Sequence, residues 1–325
     1  MIKAGVLGAG HLGKIHLRLL NESDRYELVG FYDPDKKNAQ IVSKEKGYKY
    51  FDTPEALLEA VDMVDIVTPT LSHHEIAMLS LKNGKHIFIE KPIANNVDEA
   101  NEITDFAKAN NLLGQVGHVE RFNPAFKAAI SSITEPMFIE SHRLSEFNPR
   151  GTDVPVVLDL MIHDIDLVLA FVKSPVKHIH ASGVSIMTDS VDMANARIRF
   201  ENGSVASITS SRIAKDRVRK MKIFQQDLYI TIDFLIGLTE IYRVMDANES
   251  DSAAIMSVPI ESGEKQRQIF YEKPIIKIYD ALKMELQNFI DSVKGKATPI
   301  VSGREGRDAL NIAIQIHNKI LEDLH

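Results

Sequence analysis

The stretch Ala4-Gly5-Val6-Leu7-Gly8-Ala9-Gly10-His11-Leu12-Gly13 decides the fold of the amino-terminal region. A short apolar run enters a Gly-x-Gly-x-x-Gly turn, and a helical pattern over residues 11–20 leaves it. The next strand pattern, residues 28–32, ends at Asp33, twenty positions beyond Gly13. The glycine spacing alone is common. Set between a strand and a helix, with an acidic residue closing the next strand, it reads as a dinucleotide-binding βαβ unit. Gly8 permits the tight turn, Gly10 lets backbone approach a pyrophosphate, and Gly13 allows close helix packing. His11 and Leu12 open the helix, whose free N–H groups suit a phosphate. Asp33 would accept hydrogen bonds from ribose hydroxyls and repel a 2′-phosphate, which favours NAD over NADP. Lys36 and Lys37 weaken that preference. In the plainer alternative the glycines only shape a turn and Asp33 caps a strand.

Outward from this motif, residues 4–7, 28–32, 66–68, 87–89 and 113–116 read as strands, and residues 11–20, 35–46, 54–60, 73–83 and 96–110 as helices. Alternation of this kind predicts a parallel sheet with crossover helices. The rhythm changes near Phe122. Residues 137–147, 176–187, 193–200, 204–213, 219–224, 228–234 and 239–245 read as successive strands, with Asn202-Gly203 as a hairpin turn that accepts positive φ at both positions. Helical patterns cover 156–171, 274–293 and 304–324, and residues 248–263 read as a solvated loop. The expected organisation is therefore α/β followed by α+β. A Rossmann domain spans 1–122, and a substrate-binding and oligomerisation domain, built on a large mostly antiparallel sheet, spans 123–325.

A net charge of -7 gives no general attraction to nucleic acid or to an anionic membrane. The chain has no cysteine, which removes disulfides, thiolate metal sites and cysteine nucleophiles. No apolar run approaches the ~18 residues that a span needs. No signal peptide is visible at the start, so a cytoplasmic protein is expected.

Three further segments carry chemistry. Glu90-Lys91-Pro92 closes a strand, Gly117-His118-Val119-Glu120-Arg121-Phe122-Asn123-Pro124 sits where the domains join, and Asp159-Leu160-Met161-Ile162-His163-Asp164-Ile165-Asp166 opens an apolar helix. With Thr68-Pro69-Thr70-Leu71-Ser72-His73 they resemble the Gfo/Idh/MocA family of sugar and inositol oxidoreductases, in order and spacing along the whole chain. The resemblance implies that Lys91 contacts the reacting hydroxyl and the nicotinamide ribose, and that His163 is the general acid/base. It implies that Thr68, Pro69, His73, Glu90 and Pro92 line the cofactor crevice. Asp159, four residues before His163, would orient or polarise the pair. An imidazole titrates near neutrality and so can take and return the hydroxyl proton. A lysine beside it would steady the developing alkoxide.

His118, Arg121 and Asn123 complete the expected substrate contacts, although Arg121 reads equally as an interdomain salt bridge. Asp164 and Asp166 read either as substrate contacts or as hydrogen-bonding residues at the helix start. No metal is expected, because hydride transfer needs none and no second ligand cluster is evident. The strings around His118 and His163 most resemble the branch that oxidises UDP-N-acetylglucosamine at C3. Met161 and Thr70 replace residues frequent in the family, which weakens transfer of a substrate. Arg212, Lys215, Arg217, Arg219 and Lys220 would suit a diphosphate, or are simply a solvated face. Competing expectations are a free-sugar or inositol dehydrogenase and a non-catalytic NAD-sensing regulator. A sensor has no need of Lys91, Asp159 and His163 together. The large sheet, with few helices to cover it, predicts a homodimer or homotetramer.

Overall fold

β1 (Ile2–Leu7) runs into the glycine turn and α1 (His11–Asn21) runs out of it. There follow β2 (Tyr26–Tyr32), α2 (Lys36–Lys46), α3 (Pro54–Ala60), β3 (Met63–Ile66), α4 (His73–Lys82), β4 (His86–Glu90), α5 (Val97–Ala109) and β5 (Gly114–Gly117). Local chemistry sets these boundaries. Asp35 caps α2 by accepting the N–H groups of Lys37 and Asn38, and Gly47, at φ +74°, ends it. Thr53 and Pro54 start α3, and Asn96 with Asp98 and Glu99 starts α5. The strands form a parallel sheet in the order β2-β1-β3-β4-β5. The computed structural model describes residues 1–148, 154–246, 248–249, 251–262 and 265–324.

The second region begins with α6 (Pro124–Ala129) and β6 (Phe138–Leu144). A π-helical turn, Val157–Met161, then passes directly into α7 (Ile162–Phe171). Next come β7 (Val176–Val184), β8 (Met193–Phe200), β9 (Val205–Ser211), β10 (Val218–Gln225), β11 (Leu228–Asp233), β12 (Leu238–Asp246), β13 (Met256–Ser262) and β14 (Lys265–Glu272). They make one sheet, β13-β14-β12-β11-β10-β6-β9-β8-β7, antiparallel throughout except where β6 pairs with β9. Its inner face buries Ile139, Met221, Ile223, Ile230, Ile232 and Ile241, with α6 and α7 packed on this sheet. The other face carries a row of cross-strand rings, Phe138, Phe224, Tyr229, Tyr242 and Tyr271, with centroids 4.7–6.0 Å apart.

Two helices complete the chain, α8 (Ala281–Val293) and α9 (Gly303–Leu324). The chain forms two compact units, Met1–Val119 with Asp280–Asn311 and Glu120–Tyr279 with Ile312–His325. Unit 1 is thus discontinuous, where a single cut at residue 122 would leave 280–311 in the second domain. Leu286, Phe289 and Ile290 of α8 join the cluster formed by Ala4, Val6, Leu17, Leu20, Met63 and Phe88. Phe88 and Phe289 meet edge to face at 5.9 Å. The Tyr26 hydroxyl donates to the Leu286 carbonyl, and Arg25 pairs with Asp291 at 2.7 Å.

Several boundaries differ from the expected ones. Strand β3 is Met63–Ile66 rather than 66–68, because its pairing with β1 starts at Met63 and the chain leaves the sheet beyond Ile66. Helix α8 starts after Asp280, whose carboxylate accepts the Lys283 N–H at 3.1 Å. Residues 274–280 are irregular, and Ile275 and Ile278 are exposed. Within 248–263, expected as a loop, Met256–Ser262 is the edge strand β13, where Pro259 is tolerated because edge positions need fewer ladder donors. Gly263 lies outside the described residues. At the 202–203 turn Gly203 alone takes positive φ, +89°, and its N–H bonds to the Phe200 carbonyl. That is a type I turn followed by a left-handed residue.

Phe289 is fully buried in unit 1. Phe289→Ala should therefore destabilise the protein by about 3–5 kcal/mol in urea unfolding, the usual cost of emptying a core phenylalanine site. A change below about 1 kcal/mol would show that α8 is not part of that core.

Candidate active site

In unit 1 the expected residues lie at the end of β1, the starts of α1 and α2, and the segments after β3 and β4. Gly8 has φ +101°, and a Cβ there would lie 2.5 Å from the Val67 carbonyl oxygen. A Cβ on Gly13 would lie 2.1 Å from the Gly8 oxygen, so α1 rests directly on the turn. A Cβ on Gly10 would meet nothing within 4 Å. No side chain caps α1 and no acidic residue occupies its first turn, while His11 and Leu12 are exposed. The turn thus fits a phosphate group that approaches backbone N–H donors.

Asp33 is both an anchor and an acceptor. Its carboxylate takes the Ala9 N–H at 2.6 Å and the Asp35 N–H at 2.9 Å, and Asn38 Nδ2 donates to the Ala9 carbonyl at 3.0 Å. A carboxylate has about four acceptor sites, so capacity remains for ribose hydroxyls. Lys36 and Lys37 are exposed beside it. These residues fit a dinucleotide: the turn would take the pyrophosphate and Asp33 the adenosine ribose.

Beyond β3, Thr68 has a buried hydroxyl with no hydrogen-bond partner among the described residues. Pro69 is exposed. His73, expected to line the cofactor crevice, is instead 1% exposed and faces backbone on both sides. Its Nδ1 lies 2.8 Å from the Pro92 carbonyl and its Nε2 2.9 Å from the Thr68 carbonyl. Burial lowers its pKa, so the neutral ring has one N–H and donates to one of the two carbonyls at a time. Lys91 is half-buried at the end of β4, and its backbone N–H lies 3.3 Å from Glu90 Oε2. His118 is 1% exposed and follows β5.

Two residues that the sequence reading passed over stand behind Glu90. His16 on α1 and Asp65 on β3 are fully buried, with His16 Nδ1 2.8 Å from Asp65 Oδ2. His16 Nε2 lies 3.3 Å from Glu90 Oε1. Burial opposes a charge on the ring, but Asp65 and then Glu90 outweigh it and raise the His16 pKa to about 10. The two carboxylates thus favour the charged form of the ring.

In unit 2 the expected residues lie on the π turn and α7. Asp159 lies within the π turn and His163 in the first turn of α7, both half-buried. The residues around them are locked. Asp164 accepts from Arg143 at 2.7 and 3.2 Å and from Ser141 at 2.9 Å. Arg143 also bonds Glu120 at 2.9 Å, and Arg219 approaches Glu120 at 3.7 Å. Burial works against the Arg143 charge, yet Asp164 and Glu120 hold its pKa above the usual guanidinium value. Asp166 pairs with Arg121 at 2.6 and 2.9 Å. Asp164 and Asp166 are therefore hydrogen-bonding residues that fix the start of α7, each only 1% exposed.

Arg121 and Asn123, expected as substrate contacts, each make hydrogen bonds within unit 2. Arg121 is 7% exposed, and its Nε and Nη2 donate to Asp166. Asn123 caps α6 through Oδ1, and its amide donates to Glu120 Oε2 and the Phe234 carbonyl. Both side chains are occupied in holding the fold. The basic stretch is also dispersed: Arg212 is buried and donates to the Val154 carbonyl, Lys220 pairs with Asp233 at 3.2 Å, and Lys215 and Arg217 are exposed. Among the described residues no cluster of three His, Asp or Glu could hold a metal, and no helix is long and apolar enough to cross a membrane.

Comparison with known proteins agrees with this architecture. Residues 2–118 match the Gfo/Idh/MocA oxidoreductase family, NAD-binding Rossmann fold, and residues 128–230 match the carboxy-terminal domain of the same family. The chain is 32% identical over 316 residues to a UDP-N-acetylglucosamine 3-dehydrogenase of Acidithiobacillus ferrooxidans, covering 97% of this chain and 96% of that one. The solved structure of that enzyme superposes with a TM-score of 0.89 over 100% of this chain and 99% of its own, at 31% identity. A scyllo-inositol 2-dehydrogenase (NAD(+)) of Bacillus subtilis is 24% identical, covering 98% of this chain and 93% of that one.

The charge on His16 makes a pH prediction. Because its folded pKa is raised from 6.5 to about 10, its contribution is fully present below pH 6.5 and is lost as pH rises through about 10. The thermal midpoint should fall more steeply between neutral pH and pH 10 in the unmutated protein than in His16→Gln. Parallel curves would mean that His16 carries no proton in the folded state.

Proposed function

The chain belongs to the Gfo/Idh/MocA family of NAD-binding oxidoreductases, and from that premise we propose that it transfers a hydride between NAD and a secondary hydroxyl of a nucleotide sugar, with UDP-N-acetylglucosamine at C3 the leading substrate. The observation that carries this reading is likeness along the full length of the chain, through both family domains, to an enzyme named for that reaction.

When bound, NAD supplies a hydride acceptor at the nicotinamide ring. Lys91 donates a hydrogen bond to the reacting hydroxyl and steadies the negative charge that grows on its oxygen. His163 takes the hydroxyl proton as hydride departs, and returns it in the reverse reaction. Asp159 orients its neighbours. Gly8, Gly10, Gly13 and the N–H groups of His11 and Leu12 hold the pyrophosphate, while Asp33 takes the adenosine ribose. Thr68 and Pro69 border the cofactor, and His118 contacts the sugar. His73 and Glu90 act on the cofactor side by fixing Pro92 and Lys91, and Arg121 and Asn123 on the sugar side by fixing the start of α7 and of α6.

A second reading, oxidation of free inositol or a free sugar, is supported by the likeness to the scyllo-inositol enzyme and would use the same residues. We also propose a homodimer or homotetramer. The row of rings from Phe138 to Tyr271, continued by exposed Met256 and Val258, offers one sheet face to a second copy. Full activity from a monomer in sedimentation velocity at micromolar concentration would remove that assembly. A cytoplasmic site of action is part of the same proposal, and cell fractionation tests it.

NADH absorbance should rise with UDP-N-acetylglucosamine and not with glucose or inositol. Oxidation of inositol alone would select the second reading, and tight NAD binding without turnover on any substrate would indicate a sensor. His163→Ala should lower kcat by roughly 10²–10⁴, the ordinary range for an acid/base group. Lys91→Ala should lower kcat strongly while NAD affinity stays within about fivefold, as when a contact made in the transition state is lost. Asp159→Asn should cost less than either. An active His163→Ala variant would show that the proton acceptor is elsewhere.

A further inference from the structure

Lys91 follows Glu90 directly, and Glu90 is the outer member of a buried chain of charges, Asp65, His16 and Glu90. Three charged groups packed between α1 and the parallel sheet are costly to bury, and apolar side chains of similar size would fill the space at less cost. One oxygen of Asp65 and Nε2 of His16 have no hydrogen-bond partner among the described residues, so His16 meets Glu90 as an ion pair rather than through a hydrogen bond. Stability alone gives little reason for the arrangement. Its direction gives a better one. Asp65 and His16 are fully buried, Glu90 is 13% exposed, and the next residue is the lysine on which the chemistry rests.

We propose that His16, seated on Asp65, is a positioning residue: it holds the Glu90 carboxylate and, through it, fixes where the Lys91 side chain begins. This rests on the role proposed for Lys91 above. Glu90 is confined on every side that bears on Lys91. His16 Nε2 stands 3.3 Å from one oxygen, and the Lys91 N–H is 3.3 Å from the other. Opposite, a Cβ on Gly117 would lie 2.8 Å from Oε1, so the absence of a side chain on β5 makes room for this carboxylate. On the far side of Lys91 the Pro92 carbonyl is tied by His73 at 2.8 Å. Both neighbours of Lys91 therefore lie against imidazoles, Glu90 against His16 and Pro92 against His73. His16 also lies on α1, the helix that starts at the fingerprint, so the element facing the pyrophosphate is the one that holds Glu90.

The test uses the full-length protein and two readouts. The first needs neither substrate nor cofactor: lysines are reductively methylated with ¹³C, and the Lys91 resonance is assigned by its loss in Lys91→Arg. In His16→Gln and in Glu90→Gln that resonance and its titration midpoint should move, and the double variant should move it no further than either single change, since both act through one contact. The second is turnover of UDP-N-acetylglucosamine with NAD, where kcat should fall on the order of 10²-fold, as for a displacement of about 1 Å at a reacting group. The calorimetric NAD affinity should stay within about threefold, because no cofactor contact is removed. If His16→Gln does not fold, Glu90→Gln and Gly117→Ala carry the test, the latter pressing on the same carboxylate from the opposite side. A folded variant that loses thermal stability but leaves the Lys91 resonance unmoved would overturn the proposal and make His16 a core residue. A moved resonance in a protein that oxidises no sugar would leave the positioning intact and refute the substrate reading instead.

Discussion

In unit 1 a helix rests directly on a carbonyl. Helix α1 lies on the Gly8 oxygen at a separation that any side chain on Gly13 would forbid. That contact brings the free N–H groups at the helix start to the turn, and it sets how far the rest of the helix lies from the sheet. His16 then reaches Asp65 on β3 and Glu90 on β4. At the other end of the turn Asp33 holds the Ala9 N–H. The glycine turn, the Asp33 carboxylate and the strand that ends at Glu90 are thus dimensioned by one missing Cβ.

Unit 2 fixes its chemistry differently, with ion pairs around a change of helical winding. A π turn opens one more residue per turn than its α neighbours, and such turns are often found where function outweighs regularity. Here Asp159 sits in the π turn and His163 just beyond it, and Arg143 and Arg121 grip Asp164 and Asp166. Buried ion pairs contribute little net stability, but removing one partner strands a charge. The result is a helix start with almost no freedom to shift.

Much of this was legible in the sequence, for reasons that particular residues show. The fingerprint, Glu90-Lys91-Pro92 and Asp159…His163 are local patterns whose chemistry depends on order along the chain. The alternating strands and helices of unit 1 follow from periodicity and caps such as Asp35 and Asn96. His16 was not legible. A lone histidine on an apolar helix face looks like a satisfied core residue, and its partner lies 49 positions away. Arg143 was hidden in the same way on an ordinary strand. Arg121 and Asn123 show the converse, since a sequence does not say whether a polar group is presented or already spent on its own fold. Strand β13 escaped because an edge strand tolerates Pro259 and polar residues that would disqualify a central one.

The path of the chain has a consequence for the order of folding. Because residues 280–311 return to unit 1, unit 2 is in effect inserted between two parts of one core. On the ribosome the five parallel strands emerge first, with the faces of Phe88 and Val6 still uncovered by Phe289. More than 150 residues must be synthesised before α8 arrives to seal them. The nascent amino-terminal half therefore spends that interval with an incomplete hydrophobic core, the condition under which chaperones engage growing chains. Completion of the dinucleotide-binding unit waits on the translation of residues 120–279.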